Sequence, residues 1–268
     1  MNSTGQRKPT TAAANGPLWG AKARDWAELQ EVRFRPMYEA VFDRTGLGAG
    51  TRYLDVGCGA GLAALLAAER DASVCGLDAA HGLLEVARER VPRGDLRHGD
   101  LESLPFADAS FDLVTGFNSF QYAGNPVVAL TEAARVVRPD GQVVIATWGA
   151  PEGMEAAAIV RSMGPLLPPP PPGAPGPFAL SDETALRAFA EAAGLRPQQV
   201  FDVPLDFVFA DHAAAIRGLS ASGIAVRAAA HSGDEAVAHA HEQAIAPYLQ
   251  DDGSYRLAAS FRCLVARR

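Results

Sequence analysis

The chain has 268 residues, of which 48% are hydrophobic, and its formal net charge is −7 at pH 7. Its mean hydropathy near zero is typical of a globular protein with enough apolar residues for a sizeable core. The acidic balance argues against a broad phosphate-binding face, so we expect no nucleic acid as a partner or substrate.

The cysteine pattern points away from disulfides and zinc. The chain has three cysteines, an odd number, and no CxxC spacing occurs among Cys58, Cys75 and Cys263. We therefore expect no bound metal, and we expect a reducing, cytoplasmic location. No apolar run is long enough to cross a bilayer, and no membrane partner is expected. Residues 1–17 lack the continuous apolar stretch of a signal peptide and are predicted to form a disordered tail.

The next part of the chain alternates between helical and strand patterns. A helical zone is predicted from about Trp19 to Asp43. Strands are predicted at 51–56, 72–77, 95–98, 111–117 and 141–148, with helices at 60–70, 80–90 and 125–138. This alternation predicts a mostly parallel sheet with helices on both faces and right-handed crossovers.

The remaining part begins with a proline-rich break. Residues 164–177 predict an extended spacer, and a helix should follow from Ser181 to the region of Gly194. We expect a strand at 200–209, helices over 211–249 and a final strand from Tyr255. The predicted units are the tail (1–17), an N-terminal helix and cofactor-binding core (18–150), a proline-rich cap insertion (151–180), and the remaining strands with a helical cap at 211–249 (181–268).

The junction after the first core strand carries the most information. Tyr53–Val56 is followed by GCGAG, which predicts a strand, a tight turn and a helix. Glycine lets the backbone approach a ligand closely, and the next helix presents free N–H groups. A dinucleotide-binding G-x-G-x-x-G turn needs glycine where Leu62 stands, which disfavours a nicotinamide oxidoreductase. Asp55 would repel a pyrophosphate and suits a ligand with an amine and no phosphate.

Four stretches resemble one family in order, over about residues 50–148. "LDVGCGAGL" resembles the first motif of class I S-adenosylmethionine-dependent methyltransferases, and "VCGLDAAHGLLEVARER" resembles their second strand and helix. "RHGDLESLPFADASFDLV" resembles their adenine-contacting stretch, and "ALTEAARVVRPDGQVVIATW" their helix, turn and fifth strand. The resemblance is to the small-molecule group that includes quinone-biosynthesis enzymes. It implies an α/β, Rossmann-like, doubly wound seven-stranded sheet, with the last strand antiparallel and a helical cap.

The resemblance also implies a set of residues that bind S-adenosylmethionine. Asp55 should reach the amine, Asp78 the ribose hydroxyls and Asp100 the exocyclic amine of adenine. Their alternative roles are a turn cap, a helix cap and a solvated loop residue, respectively. The full set of expected cofactor-binding residues is Trp26, Asp55, Gly57, Cys58, Gly59, Gly61, Asp78, Ala79, Leu83, Asp100, Leu101, Phe117 and Asn118.

The acceptor side is less defined by sequence. Methyl transfer from a sulfonium is an in-line displacement, which requires positioning of the acceptor and exclusion of water. Phe120, Gln121 and Tyr122 follow the fourth strand and Trp148 follows the fifth. These side chains are predicted either to wall an apolar acceptor pocket or to cover the core.

No catalytic base can be assigned from the sequence. His98, His212, His231 and Tyr122 are the candidates. The alternative for His98 is a strand-end residue, and that for His212 and His231 is a surface position on a helix. His239 and His241 are two residues apart and do not share a helix face, so they do not predict a metal site.

The sequence therefore predicts transfer of a methyl group from S-adenosylmethionine to an O, C or N atom of a small organic acceptor. The protein is expected to be a monomer or a homodimer. Two alternatives stay open: an enzyme of the same fold that catalyses a non-methyl reaction such as a cyclisation, and a non-catalytic partner subunit that binds the cofactor.

Overall fold

The computed structural model describes residues 11–170 and 176–268, in which seven strands form one sheet in the order β3-β2-β1-β4-β5-β7-β6. The strands are β1 (Arg52–Val56), β2 (Ser73–Asp78), β3 (Asp95–His98), β4 (Phe111–Phe117), β5 (Val137–Trp148), β6 (Arg196–Phe209) and β7 (Tyr255–Arg267). The helices are α1 (Thr11–Gly20), α2 (Ala23–Asp25), α3 (Arg35–Thr45), α4 (Leu62–Ala68), α5 (His81–Arg90), α6 (Pro126–Val136), α7 (Ala157–Ser162), α8 (Glu183–Ala192), α9 (His212–Leu219), α10 (Gly223–Ser232) and α11 (Asp234–Ile245).

The strand directions confirm the predicted fold class. Strands β1 to β5 pair in parallel, whereas β7 lies antiparallel between β5 and β6. Because β1 lies between β2 and β4, the direction in which the chain crosses the sheet reverses at β1. In open α/β sheets, ligands bind at the carboxyl ends of the strands at this reversal.

Strand alternation divides the core into two layers. Tyr53 packs in the layer that contains α3 and α4, whereas Leu54 and Val56 pack in the layer that contains α6 and α8. Asp55 is on the Tyr53 face, beside Thr115 of β4 in the sheet register. The same alternation that buries the core therefore buries one carboxylate at the end of β1.

Side-chain caps fix the starts of several helices. Asn125 accepts a hydrogen bond from the Val128 N–H at 3.3 Å, and Asp182 accepts one from the Ala185 N–H at 2.8 Å. Each bond satisfies a backbone donor that has no partner within its helix. The predicted helix near Ser181 therefore begins at Glu183, with Asp182 as its cap.

The predicted disordered tail is wrong for residues 11–17, which belong to α1, and its remaining residues lie outside the described ranges. The sequence suggests a break there because Gly16 and Pro17 disfavour a helix interior. Tertiary contacts outweigh this preference. A Cβ on Gly16 would lie 2.2 Å from the Ala79 carbonyl oxygen, so α1 packs directly on the loop after β2.

Two strands begin earlier than the sequence predicts, and part of the predicted spacer has another conformation. Strand β5 begins at Val137, where pairing with Phe111 of β4 extends it, and β6 begins at Arg196 beside β7. In the predicted proline-rich spacer, Gly164–Leu166 form a 3-10 turn and not an extended segment. Residues 171–175 of that spacer lie outside the described ranges.

Helices α9 to α11 occupy the connection between β6 and β7. They contact α7, which follows β5, and the segment between α2 and α3. That segment consists of a π-helical turn (Trp26–Gln30) and a 3-10 turn (Glu31–Phe34). The predicted helical stretch over 211–249 is thus a group of helices beside the carboxyl end of the sheet.

A core glycine on β4 supplies a test of this packing. A Cβ on Gly116 would lie 2.2 Å from the Phe120 ring, which is buried. We expect Gly116→Ala to lower the free energy of unfolding by about 1–3 kcal/mol, because the ring must shift. Urea unfolding measures the change. Gly48→Ala, where the nearest atom is 4.0 Å away, is the matched control, and equal effects of both changes would contradict the packing.

Candidate functional site

The turn after β1 is built from left-handed glycine residues. Gly57, Gly59 and Gly61 have φ values of 80°, 55° and 82°. A Cβ on Gly57 would lie 2.5 Å from the Ser119 Cβ, and one on Gly61 would lie 2.8 Å from the Ala87 Cβ. Only glycine adopts these angles without strain and leaves room for these neighbours. The loop backbone can therefore lie against a ligand at the end of β1.

Asp55 lies under this loop and is 1% exposed. The Thr115 hydroxyl donates to its Oδ1 at 3.1 Å, and the Tyr53 hydroxyl lies 2.7 Å from the same threonine oxygen. Because Thr115 donates to Asp55, Tyr53 donates to Thr115. Burial raises the pKa of the Asp55 carboxyl to about 7, although the hydrogen bond from Thr115 lowers it.

Glu31 is a second buried carboxylate beside the loop, and it is not among the residues predicted from sequence. It is 3% exposed, forms an ion pair with Arg90, and accepts from the Leu62 N–H at 3.4 Å. Burial raises the pKa of the Glu31 carboxyl to about 7, although Arg90 lowers it. Arg90 also donates to the carbonyl oxygens of Ala60 at 2.9 Å and Ala27 at 3.0 Å.

Asp78, at the tip of β2, is tied to the loop. One oxygen accepts from the Gly59 N–H and the other from the Ala80 N–H, both at 2.8 Å. Burial raises the pKa of its carboxyl, and these backbone bonds oppose that change. Each carboxylate oxygen has more than one lone pair, so both can accept a further hydrogen bond from a ligand hydroxyl.

A cleft, which we call the cofactor cavity, collects most of the predicted cofactor residues. Its lining includes Trp26, Asp55, Gly57, Cys58, Gly59, Asp78, Ala79, Leu83, Leu101, Phe117 and Asn118 from that set, together with Glu31 and Tyr38. Gly61 is not in the wall, because it packs against Ala87 of α5. Asp100 is not in the wall either, and its carboxylate accepts from the N–H groups of Ala12 at 3.3 Å and Glu102 at 2.9 Å.

Helix α1 covers this cavity. The Asn15 Nδ2 donates to the Tyr122 carbonyl oxygen at 2.7 Å. The Trp19 ring lies 5.0 Å from the Trp26 ring and 5.5 Å from the Tyr122 ring, measured between centroids. The N-terminal segment thus forms one wall of the site, and the glycine-loop motif does not predict this wall.

A second space, which we call the apolar cavity, adjoins the first and has a volume of about 530 Å³. The two share walls formed by Trp19, Trp26, Phe34, Asn118 and Tyr122. The rest of its lining comes from the sheet, from α6 to α11 and from the segment between α7 and α8, together with Gln30 and Gln121. A ligand in the apolar cavity would therefore meet a ligand in the cofactor cavity at this shared wall.

Three of the four predicted acceptor residues line a cavity, and the fourth lies in the core. Gln121, Tyr122 and Trp148 line the apolar cavity. Phe120 lines neither cavity, because its side chain is 1% exposed and packs in the core against Gly116.

The three predicted histidine candidates line neither cavity. His98 Nε2 lies 3.0 Å from the Ala79 carbonyl oxygen, His212 Nε2 lies 3.4 Å from Glu242, and His231 Nδ1 lies 3.1 Å from the Ser232 hydroxyl.

His241 lines the apolar cavity and was considered from the sequence only as a metal ligand. It is 1% exposed, and its Nδ1 lies 3.4 Å from the Ser220 hydroxyl. Burial lowers the pKa of His241 to about 4, with a smaller effect from Lys22, so the ring is neutral at pH 7. Helical periodicity does not reveal which face meets a cavity, so the sequence carried no signal for this residue. No cluster of potential metal ligands occurs among residues 11–170 and 176–268.

The fold and the loop define a class: a Rossmann-like protein whose carboxylates and glycine turn line a cavity at the sheet reversal. A sequence model described as a methyltransferase domain matches residues 54–145. A demethylmenaquinone methyltransferase from Renibacterium salmoninarum is 39% identical over 143 residues, which are 53% of this chain and 56% of that protein. A malonyl-[acyl-carrier protein] O-methyltransferase from Erwinia pyrifoliae is 30% identical over 216 residues, which are 81% of this chain and 76% of that protein.

Among solved structures, the cyclase SpnF matches with a TM-score of 0.60 and 22% identity, over 97% of each chain. At this identity the likeness concerns the fold alone. The chain belongs to the class I S-adenosylmethionine-dependent methyltransferases, whose cofactor is S-adenosylmethionine. The resemblance drawn from the four motifs is thereby confirmed. The matched segment spans about half the length of the first curated relative, at 56%.

The buried carboxylates predict a pH dependence of stability without ligand. The pKa of an unfolded Asp is about 3.9 and that of folded Asp55 is about 7, so the unfolded chain binds fewer protons between these pH values. Its contribution to the free energy of unfolding is full below about pH 4 and is lost as the pH rises through 7. We expect Asp55→Asn to reduce the decline between about pH 5 and 7 by up to roughly 1.4 kcal/mol per pH unit.

Urea unfolding at several pH values measures this decline. The exposed Asp251→Asn variant controls for the loss of one carboxyl group. An unchanged decline in Asp55→Asn would contradict the raised pKa.

Proposed function

We propose that the protein transfers a methyl group from S-adenosylmethionine to an O, C or N atom of a small organic acceptor. The observation that carries this proposal is the junction of the cofactor cavity with the apolar cavity at Trp19, Trp26 and Tyr122. Methyl transfer requires the two ligands to meet in line, and the aromatic wall would exclude water from their meeting point.

The charges of the cofactor cavity suit this cofactor. Asp55 and Glu31 are both buried, and only Glu31 has an ion-pair partner, Arg90, among the described residues. S-Adenosylmethionine carries a sulfonium and an ammonium group, and both are positive. A nearby positive charge stabilises an ionised carboxylate, so the bound cofactor should lower the pKa of both residues. Asp78 has lone pairs that could accept from the ribose hydroxyls.

The chain's own part in the reaction would be mainly positioning. The bound cofactor supplies an electrophilic methyl group. Gly57 and Gly59 would leave room for its methionine portion, and Leu83, which lines the same cavity, would contact the adenine. Tyr122, held through its carbonyl oxygen by Asn15, lies between the two cavities. His98, His212 and His231 lie away from both cavities, which argues against them as bases.

The named curated relatives are methyltransferases, which favours methyl transfer over a non-methyl reaction or a partner subunit without activity. Their names state different acceptors, a demethylmenaquinone and a malonyl-acyl-carrier protein. The relatives therefore support the reaction type, and they do not indicate one acceptor for this chain.

We propose that α7 and α9 to α11 form the cap over the acceptor, since they line the apolar cavity. No helix in the described part of the chain is both long and apolar enough to cross a membrane. The three cysteines are free thiols, which supports a cytoplasmic location. The net charge of −7 supports the proposal that nucleic acid is not a partner. A monomer or a homodimer remains our proposed assembly.

Binding of S-adenosylhomocysteine tests the cofactor assignment. We expect micromolar affinity by calorimetric titration and no binding of NADH. Asp78→Asn removes a charged acceptor, and we expect it to weaken binding by roughly 10- to 100-fold. The exposed Asp251→Asn variant should bind as the unmodified protein does. Preference for NADH, or no binding of either ligand, would overturn the proposed function.

The carboxylates also predict that the affinities for S-adenosylmethionine and for S-adenosylhomocysteine depend differently on pH. Asp55 and Glu31 become ionised as the pH rises through about 7. S-Adenosylmethionine has the additional sulfonium charge, so its affinity relative to S-adenosylhomocysteine should rise between about pH 6 and 8. Titrations of both ligands at each pH measure the ratio. A ratio independent of pH would contradict this account of the site, and Asp55→Asn should flatten the dependence.

A further inference from the structure

The wall of the apolar cavity is aromatic and uncharged. All three tryptophans of the chain, Trp19, Trp26 and Trp148, line it. Among the described residues of its lining, none is Asp, Glu, Lys or Arg. Its volume of about 530 Å³ is in the range of pockets that bury a ligand of drug size, about 300–1,000 Å³.

The titratable side chains among these lining residues, Tyr122 and His241, are both neutral at pH 7. Burial raises the pKa of Tyr122 to about 12 and lowers that of His241 to about 4. Lys22, the charged group that acts on His241, forms an ion pair with Asp234 at 3.7 Å. A carboxylate or a phosphate would lose its hydration in this cavity without gaining a cation of the wall, which is costly.

One face of the Trp148 ring is covered by the neighbouring strands. In the antiparallel register of β5 and β7, Trp148 lies opposite Phe261, and side chains at opposite positions contact each other. The two rings are stacked, with centroids 4.7 Å apart and planes 25° apart. The Phe207 ring, 6.1 Å from Trp148, belongs to β6 and so lies beyond β7 on the same side.

The opposite face of the Trp148 ring is on the β4 side, where the neighbouring strand has ended. Strand β4 ends at Phe117, which pairs with Ala146, so β4 places no residue opposite Trp148. Within the described ranges, the ring contacts of Trp148 are those with Phe261 and Phe207. Because the half-buried Trp148 side chain lines the apolar cavity, its uncovered face is the part that meets this space.

This uncovered face is next to the junction with the cofactor cavity. Asn118 follows β4 directly and lines both cavities. Its N–H donates to the carbonyl oxygen of Ala146, two residues before Trp148, at 2.8 Å. A ring that stacks on Trp148 from the β4 side would therefore lie beside Asn118, and an atom attached to that ring would be near the place where the two ligands meet.

We propose that the acceptor is an uncharged molecule with a planar conjugated ring, and that this ring stacks on the β4-side face of Trp148. Offset stacking of two aromatic rings is favourable beyond the burial of their area. The inference rests on the proposed methyl transfer, because it names the acceptor class of the same site. Trp148 thus determines specificity by selecting flat rings over saturated rings of the same size.

Three probes of one ring size test the proposal: 2-acetylnaphthalene, 2-acetyldecalin and 2-naphthoate. The first is flat and uncharged, the second is saturated and the third is anionic. Calorimetric titration measures the affinity of each for the full chain saturated with S-adenosylhomocysteine. We expect 2-acetylnaphthalene to bind roughly 3- to 10-fold more tightly than 2-acetyldecalin, and at least about 10-fold more tightly than 2-naphthoate.

Substitution of Trp148 isolates its part. We expect Trp148→Leu to weaken 2-acetylnaphthalene by roughly 3- to 10-fold more than 2-acetyldecalin, because both probes lose packing area but only the flat ring loses a stacking partner. Trp148→Met should reproduce this difference if the leucine variant does not fold. Phe201→Leu, at a ring that lines neither cavity, is the matched control and should bind every probe as the unmodified protein does.

Three results would overturn the proposal: equal losses for the flat and the saturated probe in both Trp148 variants, binding of 2-naphthoate as tight as that of 2-acetylnaphthalene, or no binding of any probe. The affinity for S-adenosylhomocysteine is measured in the same samples. Its absence from the unmodified protein would overturn the proposed function itself, so the two failures are distinguishable.

Discussion

Burial of negative charge beside a tight turn is the constraint on which the site depends. Asp55 belongs to β1 and Glu31 to the N-terminal segment, yet both are almost completely buried at the glycine loop. Burial raises the pKa of each carboxyl to about 7, and for Glu31 it outweighs the opposite effect of the ion pair with Arg90. Both carboxyls are thus close to half-protonated at neutral pH, and a cationic ligand would stabilise their ionised forms.

Arg90 links this charge to the fold. From α5 it reaches Glu31 and the carbonyl oxygens of Ala60 and Ala27, so one guanidinium contacts the loop and the N-terminal segment together. Its planar group has five N–H donors and can serve all these acceptors at once. Removal of Arg90 would leave Glu31 buried and unpaired, which is more costly than the loss of a surface ion pair. The loop, α5 and the N-terminal segment are therefore held together by the Arg90 side chain.

Local patterns and tertiary contacts were not equally predictable. Asp55 and Asp78 follow apolar runs at strand ends, so the sequence placed them at the sheet edge beside the glycines. Glu31, Gln30 and His241 reach the cavities from helical segments, where composition does not tell which face meets an empty space. The start of α1 was missed for a related reason, because the contact of Gly16 with Ala79 outweighs two residues that disfavour helix. The sequence thus located most of the residues that line the cofactor cavity and few of those that line the apolar cavity.

The antiparallel position of β7 has a consequence for how the chain folds. Because β7 lies between β5 and β6, β6 has no partner that joins it to the sheet until β7 arrives. The connection between β6 and β7 contains α9 to α11, so their position is fixed only when this pair docks. Pairing of β5 with β7 closes a loop of more than a hundred residues, and contacts so distant in sequence form slowly. The acceptor side is therefore expected to be the last part of the molecule to assemble.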